Sequence, residues 1–236
     1  MNTRRTAETQ VIDLGLIDYT AAWNYQTELF NGNLAIKKAN RDRPEDDQLL
    51  TKNYLLFCEH PPVITLGKSG DESNLLANEQ QLKELGASFV ATNRGGDITF
   101  HGPGQWVVYP IFDLENFFTD ISRYMRSLEE AVIRTLEPYG IRGSRIEGLT
   151  GVWITEGNPR KICALGVKSS RWVTMHGLAL NVNVDLHFFD YIVPCGIKDK
   201  EVTSMMKEKG HEFSMTEIKQ QLKANIASIF QLKLIE

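Results

Sequence analysis

RGGDITFHGPGQ occupies positions 94–105 and sets four glycines and a proline among charged and polar residues. Glycine loses more conformational freedom on folding than any other residue, so such a density usually indicates positive φ angles or the close approach of a ligand. The apolar runs ASFVAT (87–92) and WVVYPI (106–111) on either side predict buried strands. The glycines alone would also suit a sharp turn with a β-bulge, but the interleaved polar residues favour a binding loop between two strands of one sheet.

Helices are predicted on both sides of this loop. One begins near Asp18 and ends at Asn31-Gly32, and another spans 119–137, where apolar residues recur at helical spacing. A C-terminal helix follows Ser214, with Glu217 three residues later as in a capping box.

From position 151 the apolar pattern changes to a period of two. GVWITE, KICALGVK and WVTMHGLALNVNV are separated by turn residues, which predicts a meander of antiparallel strands. Helices and strands are mixed without regular βαβ alternation. We therefore expect a single α+β domain over 1–236, with a mixed, mostly antiparallel sheet flanked by helices, a core over about 11–205 and a C-terminal helix over about 214–232.

Composition excludes several classes of protein. The 236 residues include 26 basic and 30 acidic side chains, a net charge of −4, so bulk charge does not favour nucleic acid. The first residues contain no apolar core of a signal peptide, and no run of about 18 apolar residues occurs, so we expect a cytoplasmic protein without a membrane span. Three cysteines are too few for a disulfide framework.

Lys161 opens a predicted strand over 161–168. Strict alternation puts its side chain on the face of Cys163, Leu165 and Val167, where a partly desolvated ammonium would require a partner. Alternatively, the side chain extends from the strand end into water.

Small residues form a second pattern in the meander. Ala164 and Gly166 share one face of their strand, and Gly177 and Ala179 share one face of the next. If the two strands pair with these faces aligned, a slot lined by backbone remains, wide enough for an extended apolar chain. Tight packing of a helix on that face is the alternative.

Cys195 lies in the sequence Ile-Val-Pro-Cys-Gly-Ile, between a residue that fixes φ and one that leaves space at the backbone. A nearby cation would lower its thiol pKa and make it a nucleophile, whereas most single cysteines are structural. Lys161 is the candidate cation, and His101 or His176 would instead make a Cys–His pair. No ligand spacing typical of a metal site is present, so we predict no metal.

Four motifs occur together in this chain: RGGDITFHGPGQWVVYPIFDL (94–114), KICALGV (161–167), HGLALNVNVDL (176–186) and PCGI (194–197). In this order they resemble the lipoyl(octanoyl) transferases of lipoate biosynthesis, over about residues 54–205. The resemblance implies a fold like that of the biotin and lipoate protein ligases. It also implies transfer of octanoyl from octanoyl-acyl carrier protein to a lysine of a lipoyl domain, through a cysteine acyl-thioester.

The resemblance assigns roles residue by residue. Cys195 would carry the acyl group, and Lys161 would lower the pKa of its thiol. The implied acyl-binding residues are Arg94, Gly95, Gly96, Asp97, Ile98, Thr99, Phe100, His101, Ala164, Leu165, Gly166, Gly177, Leu178 and Ala179. Asp97 and Trp106 depart from the usual motif, and we expect Asp97 to add a negative charge near the site and Trp106 to narrow the pocket.

The implied partners are octanoyl-acyl carrier protein as donor, and lipoyl domains of 2-oxoacid dehydrogenases and the glycine cleavage H protein as acceptors. We expect a monomer that requires no cofactor and binds neither nucleic acid nor membrane. Three alternatives stay open: an ATP-dependent lipoate–protein ligase, a Cys/His thioester hydrolase using Cys195 with His101 or His176, and a non-catalytic acyl- or carrier-binding module.

Overall fold

The computed structural model describes residues 7–193 and 201–235. Within them a large mixed sheet has the strand order β12-β1-β2-β6-β10-β9-β8-β7, and β11 also pairs with β9. The nine strands are β1 (Glu8–Leu16), β2 (Asn53–Glu59), β6 (Gln105–Ile111), β7 (Gly143–Ser144), β8 (Val152–Ile154), β9 (Arg160–Ser170), β10 (Val173–Asn181), β11 (Glu201–Val202) and β12 (Lys233–Ile235).

In this strand order every pairing from β2 to β7 is antiparallel. The pairs β1–β12, β1–β2 and β9–β11 are parallel. The sheet is therefore mixed and mostly antiparallel, and the predicted fold class is confirmed. The meander predicted from position 151 is β8, β9 and β10.

Helices cover both faces of this sheet. They are α1 (Tyr19–Ala39), α3 (Ile121–Leu136), α4 (Met205–Lys209) and α5 (Met215–Phe230), whereas Leu82 of α2 (Glu79–Glu84) belongs to a separate buried cluster. The apolar sides of α3 and α5 share one buried cluster with the strands, in which Leu128, Leu222 and Phe230 are at most 3% exposed. The side chains of α1 pack on the opposite face of the sheet, around Ala22 and Phe30.

Helix α1 is longer than the sequence indicates. Asp18 caps its first turn as predicted, by accepting from the backbone N–H of Ala21. The predicted end at Asn31-Gly32 is wrong, because the helix continues to Ala39. A single glycine costs a helix about 1 kcal/mol. Asn33, 2% exposed, offsets that penalty, since its side chain donates to the Lys52 carbonyl and accepts from the Lys52 N–H.

The glycine-rich stretch connects two sheets instead of two strands of one sheet. A small sheet consists of β4 (Ser88–Ala91), β3 (Val63–Leu66) and β5 (Ile98–His101), in that order. β5 lies inside the stretch predicted to be a loop, and the following strand β6 belongs to the large sheet. The prediction is wrong because apolar runs identify strands but contain no information about which sheet each one joins. β4 is also only half-buried.

In the described part of the chain, no helix is long and apolar enough to cross a membrane.

Candidate active site

A cavity of about 240 Å³ lies on the α1 side of the large sheet, between β9, β10 and the glycine-rich stretch. Its lining is Tyr19, Arg94, Gly96, Asp97, Ile98, Thr99, His101, Gln105, Val107, Tyr109, Gly148, Leu149, Thr150, Trp153, Lys161, Ala164, Leu165, Gly166, His176, Gly177, Leu178, Ala179, Asn181, Phe189 and Val202. The three segments that were singled out by their residues, 94–101, 161–166 and 177–179, therefore meet at one cavity.

Lys161 lies on the opposite face of β9 from the one that alternation predicts. Its partner strand pairs Val152 with Cys163 but Trp153 with Lys161, so Ile162 is an extra residue in β9. Such a β-bulge reverses the alternation beyond it. As a result Ile162 and Cys163 both belong to the core on the α3 side, whereas Lys161 lines the cavity with Ala164 and Gly166.

The Lys161 side chain is held closely on two sides. The residue is 9% exposed, and its Nζ lies 4.7 Å from the centroid of the Trp153 ring, within cation–π range. Its aliphatic stem passes over Gly151, where an added Cβ would be 3.4 Å from Cε and 2.7 Å from the Cys163 carbonyl oxygen. Gly151 has a φ of +116°, so both its conformation and its surroundings require glycine.

A buried carboxylate fixes the segment that contains Gly151. Glu129 of α3, 0% exposed, accepts from the Gly151 N–H at 2.9 Å, from Arg126 at 2.6 Å and from Arg145 at 3.2 Å. The chain between Arg145 and Gly151 carries three cavity-lining residues, 148–150. Sequence analysis missed this wall, although the glycines at 148 and 151 and an acidic residue beside Leu128 were possible signals.

The small-residue slot exists in the predicted register. Gly177 pairs with Gly166 and Ala179 pairs with Ala164, and all four line the cavity. The two glycines also have structural reasons to be small. An added Cβ at Gly166 would lie 2.6 Å from the Gly95 carbonyl oxygen, and one at Gly177 would lie 2.0 Å from the Val108 carbonyl oxygen.

Two residues expected to contact the acyl chain do not line the cavity. The Gly95 N–H donates to the Val167 carbonyl at 2.9 Å and thereby attaches the glycine-rich stretch to β9. The Phe100 side chain alternates to the other side of β5, where it stacks on Phe188 with ring centroids 4.4 Å apart. Their contribution is to the walls behind the cavity.

Arg94 is buried, and its side chain stabilises the glycine-rich stretch. It is 7% exposed, and its Nη2 donates to the Thr65 carbonyl at 2.7 Å and to Thr65 Oγ1 at 2.9 Å. Asp97 also lines the cavity, but its carboxylate accepts from Asn74 Nδ2 at 2.8 Å and from the Ile98 N–H at 2.7 Å. The carboxylate is thus stabilised by two neutral hydrogen-bond donors.

His101 is a neutral member of a hydrogen-bond chain. The Gln105 amide nitrogen donates to the Phe100 carbonyl and to Asn181, so Gln105 Oε1 accepts from His101 Nδ1 at 2.8 Å. Nε2 then accepts from the Thr65 hydroxyl at 3.3 Å. Burial, reinforced by the nearby His60 and Arg94, lowers the pKa of His101 to about 3. Both ring nitrogens are occupied, and the ring carries no charge at neutral pH.

His176 is likewise buried and neutral. Its backbone N–H donates to Gln26 of α1 at 2.9 Å, and its φ is +59°, uncommon for a residue with a side chain. Nε2 lies 2.8 Å from Asn93 Oδ1, while Nδ1 has no hydrogen-bond partner among residues 7–193 and 201–235. Burial, with smaller effects from Arg94 and Lys168, lowers the pKa of His176 to about 3.

The remaining candidate residues are the three cysteines and Trp106. Cys58 and Cys163 are 0% exposed, and burial raises the pKa of both thiols far above the normal range, so neither is a nucleophile. Cys195 lies outside the described residues. Trp106 does not narrow the cavity, because its ring points to the α5 side, where Nε1 donates to the Met215 carbonyl at 2.7 Å.

Comparison with known proteins agrees with these motifs. Residues 18–227 match the family model of the lipoyl protein ligase A/B catalytic domain. The chain is 58% identical over 225 residues to the octanoyltransferase of Cytophaga hutchinsonii, covering 94% of this chain and 92% of the relative. It is 58% identical over 229 residues to the octanoyltransferase of Flavobacterium psychrophilum, covering 96% and 98%.

Solved structures share the fold at low sequence identity. A bi-partite lipoate protein ligase from Thermoplasma acidophilum superposes with a TM-score of 0.69 at 18% identity, covering 97% of this chain and 86% of that one. A lipoate-protein ligase A solved with ATP superposes with a TM-score of 0.65 at 15% identity, covering 98% and 90%. The resemblance read from the sequence is thereby confirmed: the chain belongs to the lipoyl protein ligase A/B catalytic-domain family and, within it, to the octanoyltransferases, a group of acyltransferase enzymes.

Proposed function

We propose that this protein transfers octanoyl from octanoyl-acyl carrier protein to the target lysine of lipoyl domains, through an acyl-thioester on Cys195. The observation that carries the proposal is the single cavity at which Lys161, the glycine-rich stretch and the small-residue slot meet. From Lys161 to Gly166 the cavity follows six residues of β9, and the five steps between them span roughly 16 Å at about 3.3 Å each. That length accommodates an extended eight-carbon chain, and its lining by Val107, Ala164 and Ala179 is apolar.

In the first half-reaction the Cys195 thiolate attacks the carbonyl carbon of the donor thioester. The bond to the carrier sulfur breaks, that sulfur takes a proton from the Lys161 ammonium so that the carrier leaves as a thiol, and octanoyl-Cys195 is formed with Lys161 neutral. A cation near a cysteine stabilises its thiolate form, and Lys161 is the basic residue we assign to this role.

In the second half-reaction the lysine of the lipoyl domain attacks the acyl-enzyme. An amide bond forms, the C–S bond breaks, and Cys195 leaves as its thiolate. The attacking amine must lose a proton, and Lys161 in its neutral form is the acceptor we propose. Conversion of a thioester to an amide is favourable, so the scheme requires no ATP.

The buried histidines argue against the hydrolase alternative. A general base works best when its pKa lies near the working pH. The pKa of both His101 and His176 is about 3, and both ring nitrogens of His101 are already hydrogen-bonded. Neither ring is therefore suited to accept a proton from a thiol at neutral pH.

Intact-mass spectrometry tests the proposal. After mixing with octanoyl-acyl carrier protein and without acceptor, the protein should gain one octanoyl group, which peptide mapping should place on Cys195. A Cys163→Ala variant should still be acylated, and a Cys195→Ala variant should not. Transfer to a lipoyl domain without any detectable acyl-enzyme would overturn the covalent scheme.

The same reaction mixtures separate the alternatives. Modification of a lipoyl domain that requires free lipoate and ATP would identify a ligase. Rapid release of free octanoate in the absence of acceptor would identify a hydrolase. Binding of the carrier that is equal in wild type and Cys195→Ser, with no transfer by either, would indicate a non-catalytic module.

A further inference from the structure

Strand β9 changes its neighbour at Lys161. On one side β10 pairs with β9 only as far as Cys163, where Leu180 is its partner. Beyond that point β11 takes over and pairs with Arg160 and Lys161. The bulge at Ile162 falls in the same place. Trp153 of β8 pairs with Lys161 on the other side, but a bulge disrupts that ladder locally, and on the β10 side the backbone of Lys161 is held by a strand of only two residues.

Thr203, directly after β11, joins three elements. It is 0% exposed. Its N–H donates to the Lys161 carbonyl at 2.9 Å, its carbonyl accepts from Asn181 of β10 at 2.9 Å, and its hydroxyl donates to Glu208 of α4 at 2.5 Å. Thr203 therefore attaches the end of the short strand to β9 and β10 through its backbone and to α4 through its hydroxyl.

Glu208 closes the arrangement onto the residue before Lys161. Arg160 donates Nε and Nη2 to its two carboxylate oxygens, both at 2.6 Å, a bidentate pair in which the side chains are 20% and 13% exposed. Arg160 also donates Nη1 to the Glu156 and Asn158 carbonyls in the turn that leads into β9. Hydrogen bonding to Arg160 lowers the pKa of Glu208, which is consistent with a carboxylate that is ionised in the folded protein.

We propose that Arg160, Thr203 and Glu208, here called the Arg160 clasp, are positioning residues that hold Lys161 in place at the cavity. The inference rests on the proposed function in its assignment of Lys161. None of the three side chains lines the cavity, so the clasp acts through the backbone of Lys161 and not on the acyl chain. The same hydrogen bonds continue through Asn181 and Gln105 to His101, so the clasp also links Lys161 to the glycine-rich stretch.

The test compares Thr203→Val with Thr203→Ser. Valine keeps the volume but removes the hydroxyl that donates to Glu208, whereas serine keeps it. The readout is the rate at which iodoacetamide alkylates Cys195 in the folded protein as a function of pH. Cys58 and Cys163 are fully buried and do not compete. A Lys161→Ala variant provides the reference for a thiol that has lost its cation.

Thr203→Val and Glu208→Gln should both move the alkylation profile to higher pH, toward that of Lys161→Ala. They should lower kcat about tenfold, since small displacements of a reacting group are sufficient for losses of this size, and change KM little. Thr203→Ser should stay within about twofold of wild type. Wild-type profiles and wild-type kcat for Thr203→Val and Glu208→Gln would overturn the proposal.

Asp13→Asn is the control for lost stability alone. It removes a partly exposed ion pair between β1 and α5, in which Lys219 is the cation, and neither residue touches the cavity. It should lower the melting temperature without moving the alkylation profile.

Hydrogen exchange at the Thr203 amide separates failure of the clasp from failure of the proposed function. If Lys161→Ala leaves the alkylation profile unchanged, the proposed role of Lys161 is wrong. The clasp then stands if Glu208→Gln accelerates Thr203 exchange, because that amide donates to the Lys161 carbonyl. It falls if the exchange rate is unchanged.

Discussion

Two sets of basic side chains line the cavity in very different settings. Lys161 lies between the Trp153 ring and Gly151, on a backbone whose carbonyl accepts from the Thr203 N–H. His101 and His176 are also enclosed, but desolvation keeps both neutral. A list of basic residues near a cysteine treats the three as equivalent candidates. Their surroundings separate a lysine held against an aromatic ring from two histidines that are neutral parts of the cavity wall.

Replacing Lys161 should give the largest effect and would sharpen this contrast. We expect Lys161→Ala to lower the rate of acyl-enzyme formation by roughly 10²–10⁴, the range for loss of a general acid–base group. The measurement is single-turnover acylation by octanoyl-acyl carrier protein. His176→Gln is the comparison variant. A loss as large as that of Lys161→Ala would contradict the distinction between the lysine and the buried histidines.

The Gly151→Ala variant tests how closely the surroundings of Lys161 are packed. The φ of +116° strains any residue with a Cβ, and that atom would lie 2.7 Å from the Cys163 carbonyl oxygen. We expect a loss of about 3 kcal/mol in the free energy of unfolding, measured with urea. Gly157→Ala is the matched control, because its φ is +77° but no atom lies within 4 Å of the added Cβ. Equal losses for the two variants would show that strain alone, without crowding at Lys161, explains the requirement.

Lowering the pH should destabilise the folded protein through His101 and His176. A histidine titrates near pH 6.5 in the unfolded chain, whereas His101 and His176 have a pKa of about 3 when folded. Between these values the unfolded state binds more protons, so stability is full above about pH 6.5 and is lost as the pH falls toward 3. We expect the free energy of unfolding to fall by about 2 kcal/mol from pH 6 to pH 5.

Urea unfolding at the two pH values measures this loss. His176→Gln should reduce the slope by less than half, since His101 and His60, whose pKa burial also lowers, still take up protons on unfolding. The exposed His187 provides the control, and His187→Asn should leave the slope as it is. A pH-independent stability over this interval would contradict the buried, neutral state of both rings.

Most of the large sheet could be predicted from the sequence, but its irregularities could not. Alternation identified the faces of β10 and the pairing of its small residues with those of β9, because both strands are regular over Ala164–Gly166. It misplaced Lys161, because one inserted residue at Ile162 reverses the faces and leaves no mark in composition. It also could not assign β5 and β6 to different sheets, since that choice depends on contacts between distant segments.

The cavity wall formed by residues 148–150 was not predicted from the sequence, for a similar reason. Its position depends on Glu129, a buried acidic residue whose partners lie on other elements. A helical wheel would assign such a carboxylate to solvent. Residues whose function is to hold another residue carry little signal of their own, and the Arg160 clasp belongs to the same class.

Trp106→Phe should have the smallest effect and defines the boundary of the comparison. The ring packs on the α5 side of the sheet against Phe57, and its Nε1–H donates to the Met215 carbonyl at 2.7 Å. Phenylalanine keeps an aromatic ring but leaves that carbonyl without its donor, so we expect a loss of about 1 kcal/mol in the free energy of unfolding. Because the sheet separates this ring from the cavity, kcat and KM for octanoyl and dodecanoyl donors should match those of wild type. A gain in activity toward the longer donor would mean that Trp106 limits the slot after all.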